Sequence, residues 1–300
     1  VIGARLEREL RASLDEAGLR GSFLVRDLDT GEELGLDADI ELPVASLVKV
    51  PLAIAVANRF VARTLDPAAR IEVAPGRVTT EGPGGITRFR HPVRIALEDV
   101  LYLAVCLSDN IAADALFDLV SPAEVADALA QLHLTGMTVR HRIQVIVETA
   151  AHRLPADEVH LAQELAIQAG TSGGGHPIRQ LDIACANTGT ATALVAMLAE
   201  LWTPTSMPTA AAARVRDLLR HNVLRQRLAP DFSSDEMTWS SKTGTLLNLR
   251  HEAGVVEHAD GRRMAIAALT ESTVPAAVQP AAEARMAFVA RRLHDELRAR

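Results

Sequence analysis

Lysine is almost missing from this chain. Of its 31 basic residues two are lysines, Lys49 and Lys242, and every other side-chain cation is an arginine. Cysteine is as scarce: Cys106 and Cys185 both stand in apolar contexts, which fit buried thiols better than a disulfide framework. No apolar run comes near the roughly 20 residues of a bilayer-spanning helix, and Leu101 to Leu107 is among the longest, so no membrane partner is expected. Blocks of like charge are absent at a formal net charge of -7, which argues against a nucleic-acid or anionic-lipid partner. The ten histidines show no metal-binding spacing and Gly173-Gly174-Gly175 lacks the lysine of a phosphate loop, so neither metal nor cofactor is implied. The stretch Arg5, Glu7, Arg8, Glu9, Arg11 reads as a mixed-charge amphipathic helix and not as a signal peptide. A chain starting at Val is expected to have been trimmed, which leaves the compartment open: exported if an upstream signal was removed, otherwise cytoplasmic.

What is present is a globular composition, 48% hydrophobic and 23% charged over 300 residues, with ample material for a core. The placement of the lysines is the first chemical signal. Lys49 lies three residues after Ser46, at the start of the apolar run to Val61, and that spacing on a helix puts hydroxyl and amine on one face. A serine hydroxyl is a poor nucleophile until a neighbour takes its proton. Lysine can be tuned to accept one, whereas arginine cannot.

Along the chain, Arg5 to Ala17 predicts a helix stopped by Gly18, and Gly21 to Asp27 and Glu33 to Leu36 predict a hairpin around Asp29-Thr30-Gly31. The Ser46 helix is expected to reach Arg63, with Pro51 tolerated only near its first turn or at a kink. Residues 74–92 read as a long loop. Helices follow over Ile95 to Leu107 and Ile111 to Val120, separated by Ser108-Asp109-Asn110, whose residue types suit a helix cap. Further helices are expected over Pro122 to Leu134, Pro155 to Gln168, Asn187 to Trp202 and Ala210 to Leu219, while Thr138 to Leu154 is ambiguous. Thr238 to Leu246, Glu252 to Val256 and Arg263 to Leu269 then read as strands, and Pro280 to Leu297 as a last helix. Strands at both ends imply one antiparallel sheet assembled from both termini, residues 1–40 and 203–300, with a helical part over 41–202 set between them.

Ser46-x-x-Lys49, Ser108-Asp109-Asn110 and Lys242-Thr243-Gly244 occur in that order. Together they resemble the motif set of class A β-lactamases and penicillin-binding proteins. The resemblance covers most of the chain and implies an α/β fold with an antiparallel sheet and a helical subdomain, a cleft between the two, and acyl transfer through a serine ester. It assigns Ser46 as nucleophile, Lys49 as its proton acceptor, Ser108 as proton relay, and Lys242 as the cation that holds Ser108 and attracts a substrate carboxylate. Asn110 and Thr243 would bind substrate, Gly244 would let substrate approach the strand, and the N–H groups of Ser46 and Thr245 would form an oxyanion hole. Arg250 is a further candidate anchor for the carboxylate, with Arg225 or Arg227 as substitutes.

The likeness has a gap. The register that aligns Lys242 puts the family's deacylating glutamate at about Gly174, where there is none, and the stretch from Asn110 to Asn187 is longer than the family's usual loop. Asn187 stands where an aspartate normally closes that loop. Glu164, Glu148 and Glu158 are the acids within the insertion that could replace the missing base. The leading expectation is a monomeric β-lactamase acting on a β-lactam or related carboxylate-bearing amide or ester. A superfamily esterase or peptidase with slow β-lactam turnover, and a non-hydrolytic β-lactam sensor, are the alternatives.

Overall fold

The computed structural model describes residues 2–76, 84–145, 161–171, 174–274 and 278–300. Helix α1 (Ala4–Glu16) buries Leu6, Leu10 and Leu14, four residues apart and so on one face, and stops before Gly18, whose φ of 64° suits glycine. Strands β1 (Leu19–Asp27) and β2 (Glu33–Leu36) pair as a hairpin. Asp27 Oδ1 makes the turn by accepting the N–H groups of Asp29 at 2.8 Å and Thr30 at 3.0 Å. A short β3 (Leu42–Pro43) leads to a 3-10 turn, Ala45–Val48, and then to α2 (Lys49–Val61), with Pro51 in its first turn where no hydrogen bond is lost.

Next come β4 (Arg70–Val73) and β5 (Val93–Ala96), paired antiparallel at the base of the long loop. At four residues each, they are too short for alternation to declare them in the sequence. Helices α3 (Leu97–Cys106), α4 (Asn110–Phe117) and α5 (Pro122–Gln131) follow. Then come β6 (Met137–Thr138), α6 (Ala162–Ala169), β7 (Thr188–Gly189), α7 (Ala191–Trp202), α8 (Thr209–Arg220) and the short α9 (Ala229–Phe232). The chain returns to the sheet through β8 (Met237–Leu246), β9 (Leu249–His258) and β10 (Arg263–Ser272), and α10 (Pro280–Arg298) follows.

The main sheet is antiparallel in the order β2-β1-β10-β9-β8, built from both ends of the sequence as the pattern implies. Its two faces bury different cores. On one, Phe23, Val25, Trp239, Ile266 and Val256 pack against α1 and against Met286, Val289 and Leu293 of α10. On the other, Leu24, Ala253, Val255, Ala267 and Leu269 meet the helical part, whose axis is α2. Every residue of α2 from Lys49 to Ala57 is buried, so this helix is apolar on all sides and centred in the protein. At roughly 1.5–3 kcal/mol for each large apolar side chain, Leu52, Ile54, Val56 and Phe60 alone fix its position firmly. Helix α8, drawn from the stretch assigned to the sheet half, packs on α2 and α7 as well as on β8. Both cysteines are free thiols, Cys106 buried and Cys185 half-buried.

Candidate active site

The turn that carries Ser46 is fastened from two directions. Val44 donates its N–H to Asn187 O at 2.9 Å, and the His251 ring bonds through Nε2 to Pro43 O at 2.9 Å. Ala45 then adopts a φ of 48°, a left-handed conformation that costs a residue with a Cβ roughly 1–2 kcal/mol and persists only where its surroundings enforce it. Ser46 is left half-buried, whereas Leu47, Val48 and Lys49 are buried. Strand β8 presses on this turn because Gly244 has no side chain: a Cβ there would lie 2.8 Å from Val44 O and 3.2 Å from Leu47 Cγ. The close approach that Gly244 permits is thus one between the protein's own segments.

Ser108 is where the two lysines meet. Lys49 Nζ donates to Ser108 O at 2.6 Å, Asn110 Oδ1 at 2.7 Å and Ser108 Oγ at 3.2 Å. Lys242 Nζ donates to Ser108 Oγ at 2.9 Å and to Thr243 O at 2.9 Å. With two amines aimed at its oxygen, the Ser108 hydroxyl must turn its own hydrogen elsewhere, which leaves it free to donate to a third group. Both amines are fully buried and each carries little charge-stabilising solvent. Burial lowers Lys49 to about 7, against the opposing pull of the Asp109 and Asp114 carboxylates. Burial, and then repulsion from Lys49 and Arg227, pushes Lys242 well below its ordinary value.

The backbone at Ser108 has a φ of 57°, and its neighbour holds it there. Asp109 caps α4, accepting the N–H groups of Ile111 at 3.0 Å and Ala112 at 3.3 Å. The same carboxylate accepts from Ile86 N–H and the Thr87 hydroxyl, so it latches the long loop to the helix start. The cap predicted for this triplet is present, and it also orients the residues on either side.

Strand β8 is the edge of the sheet. The two-residue turn Leu247-Asn248 makes Leu246 and Leu249 the terminal hydrogen-bonded pair, so Gly244 and Lys242 bond to β9 while the N–H groups of Thr243 and Thr245 point outward. The Thr245 N–H therefore has the orientation an oxyanion donor requires. Thr243 Oγ1 is buried without a hydrogen-bond partner. The guanidinium beside these threonines belongs to Arg227, which donates to Thr245 Oγ1 at 2.6 Å, Gly244 O at 2.9 Å and His251 O at 2.7 Å, and pairs with Glu283 at 2.9 Å. Arg250 lies on the same face, turned to the hairpin, where Nη1 donates to Leu247 O at 2.6 Å and Leu249 O at 2.8 Å. Arg225 reaches Trp239 O and the Ser233 hydroxyl instead.

The long connection after α4 is gathered at a neck. Asn187 Oδ1 accepts the N–H groups of Arg140 at 2.7 Å and His141 at 3.1 Å, its Nδ2 donates to His141 O at 3.0 Å, and Arg140 Nη1 donates to Ala186 O at 2.6 Å. An amide does here with neutral hydrogen bonds what a carboxylate would do with charge. Just past the neck, Ile143 and Gln144 donate their N–H groups to Asp114 at 2.7 and 2.8 Å. Among the described residues, this segment, 142–144, and not Gly174, is the part of the insertion bonded to α4. Gly174 sits beside Asp182 and Ala184. Glu164 is exposed on α6, within reach of Gln168 Nε2 at 3.5 Å, and Glu148 and Glu158 lie outside the described residues. The far end of the insertion is tied to the sheet by Thr171, which donates to Glu271 through N–H at 3.0 Å and hydroxyl at 2.8 Å. Asp114 and His251 were not singled out from sequence. The available signal was an aspartate in the apolar run 111–117, four residues past Asn110.

Comparison with known proteins agrees with this fold. A sequence model of the beta-lactamase enzyme family matches residues 5–297. The chain is 57% identical to the beta-lactamase regulatory protein BlaB of Streptomyces cacaoi, covering 98% of this chain and 97% of that one. Among solved structures, a beta-lactamase from Sphaerobacter thermophilus superposes with a TM-score of 0.75 at 20% identity, over 96% of this chain and 97% of that one. PBP-A superposes with a TM-score of 0.75 at 17% identity, over 99% and 97%.

Proposed function

This chain belongs to the beta-lactamase enzyme family, and we propose that within it Ser46 is acylated by a carboxylate-bearing lactam, amide or ester and releases the acyl group slowly. The observation that carries the acylation half is the Ser108 hydroxyl held between the amines of Lys49 and Lys242. With a proton affinity near neutrality, Lys49 takes the Ser46 proton as Oγ attacks the carbonyl carbon. The oxyanion is received by the N–H groups of Ser46 and Thr245, a pair that in comparable sites supplies roughly 3–4 kcal/mol of barrier lowering. Ser108 passes a proton to the leaving nitrogen or oxygen and is resupplied from the lysines. The substrate carboxylate is drawn by Lys242 and Arg227 and bonded by Thr243 Oγ1, whose lack of a partner within the protein supports that role.

Slow release is supported by the segment packed against α4. Among the described residues, the segment bonded to α4 offers Arg142, Ile143 and Gln144, and no carboxylate to activate a water molecule. The regulatory designation of the relative in Streptomyces cacaoi supports a long-lived adduct as the output. Rapid β-lactam hydrolysis is the second reading, favoured by the family match and by the lactamase among the similar structures. An esterase or peptidase reaction would use the same acyl step on another leaving group. Incubation with a penicillin, read by intact-protein mass, tests the acylation half. The wild type is expected to gain the mass of the opened lactam and Ser46→Ala to gain none; an adduct on Ser46→Ala would place the reactive group elsewhere.

A further inference from the structure

Helix α4 carries a buried acid that the acyl-transfer scheme leaves unused. Asp114 stands one turn beyond Asn110 on the same face, in the otherwise apolar stretch Ile111 to Phe117, and is 9% exposed. Asn110 is the residue whose amide oxygen accepts from Lys49 Nζ at 2.7 Å, so the acid lies directly under the contact that holds the amine. Its two oxygens accept the N–H groups of Ile143 and Gln144, and the Arg142 guanidinium approaches to 3.7 Å. Buried, and with each oxygen holding a backbone donor, Asp114 is poorly placed to activate water. It is well placed to act on charge.

Lys242, Asp109 and Asp114 act on Lys49, and Arg142, itself paired with Asp118, acts on Asp114. Lys242 comes from β8, Asp109 from the α3–α4 junction, Asp114 from α4 and Arg142 from the insertion. Asp109 is committed to the helix cap and to the Ile86 and Thr87 latch. Lys242 is a like charge. Asp114 is therefore the anion whose balance with Lys49 is adjustable, because its own surroundings depend on how the segment 142–144 is seated. We propose that Asp114 is a positioning residue for the general base: its carboxylate, anchored by the backbone of 142–144, sets the proton affinity of Lys49 and couples it to the docking of the insertion. The electrostatics agree, since each group stabilises the charge of the other, and burial raises Asp114 to about 6 while it lowers Lys49 to about 7. Two such groups titrate as a coupled pair around neutral pH.

The inference rests on Lys49 being the proton acceptor, but it can be tested without substrate. Because the chain has two lysines, labelling lysine with 13C at Cε gives two signals, and Lys242→Arg identifies the Lys49 signal. Titrated by NMR, the wild-type Lys49 signal is expected to show a midpoint near 7 with a second inflection near 6 from Asp114. In Asp114→Asn the second inflection disappears and the midpoint falls by roughly one pH unit, the effect of removing one nearby opposite charge. An unchanged Lys49 midpoint in a folded Asp114→Asn protein overturns the proposal. Should that variant not fold, a single-step wild-type curve overturns it. Neither result depends on whether Ser46 is acylated, so a failure of acylation and a failure of this coupling are separate findings.

Discussion

At the scale of the residue, the role proposed for Lys49 is one that its size alone could not fill. An amine without solvent, held by Ser108 O and Asn110 Oδ1, can give up its proton near neutrality; a guanidinium in the same place cannot. Lys49→Arg is therefore expected to slow Ser46 acylation by roughly 10²–10⁴-fold, the range of a lost general base, as followed by the rate of adduct formation. A rate within a few-fold of wild type would remove Lys49 from the proton-transfer step. Much of this was legible in the sequence, since a chain that writes nearly every cation as arginine and keeps lysine at two motif positions marks those positions by contrast. Arg227 was legible only as one of three candidates. Which arginine lies beside Thr245 depends on how the segment before β8 folds back over the sheet, and no local pattern specifies that.

At the scale of the element, the site depends on helix starts and loop necks more than on helix interiors. Asp109 accepts two N–H groups of α4 and two donors from the loop at Ile86 and Thr87. Asp109→Ala leaves those donors unpaired in a buried place, and with a cap worth about 1 kcal/mol and each orphaned donor about 1 kcal/mol or more, a loss of roughly 3 kcal/mol is expected in urea denaturation. Acylation should slow as well, because Ser108 and Asn110 flank the capped position. A loss under about 1 kcal/mol would mean that water replaces the carboxylate. The sequence announced the cap through its residue types. It could not announce the neck at Asn187, because the contacts of that amide with Arg140 and His141 join residues 46–47 positions apart. Nor did it reveal which part of the insertion reaches α4, since counting back from Lys242 passes through a connection longer than the pattern it is aligned to.

At the scale of the whole molecule, one face of the sheet is closed by helices from both ends of the chain and the other by the helical part between them, and buried or half-buried histidines lie where those layers join. His251 bonds Pro43 O through Nε2 and accepts Thr270 N–H at Nδ1 at 3.1 Å, which requires the neutral ring with hydrogen on Nε2. A proton on Nδ1 would face that N–H. Between β9 and α10, His258 and His294 share a contact of 2.9 Å through their Nε2 atoms, and His294 Nδ1 meets Asp295 at 2.7 Å. One of the two Nε2 atoms must therefore be unprotonated. Burial holds all three rings below the usual histidine range, His251 and His258 at about 4. In the unfolded chain they protonate near 6.5. The unfolded state thus binds more protons between about 6.5 and about 4, so the stability these rings contribute is complete above the upper value and is lost as pH falls towards the lower. The urea midpoint should decline across that window in the wild type and less steeply in His251→Gln, whose amide can keep both hydrogen bonds. Equal slopes would show that His251 does not gate acid unfolding.

The same scale decides what the protein does with an acyl group. Under the proposed function, an insertion segment under α4 that among the described residues carries Arg142 and no carboxylate of its own predicts that the acyl-enzyme outlives the encounter that formed it. The direct measurement is the time course of intact mass and of free β-lactam after mixing the protein with an excess of penicillin or cephalosporin. A Ser46 adduct that forms readily and persists while free β-lactam is no longer consumed is the predicted result. Continued consumption with only a fleeting adduct would contradict it and show that a deacylating base operates in the insertion.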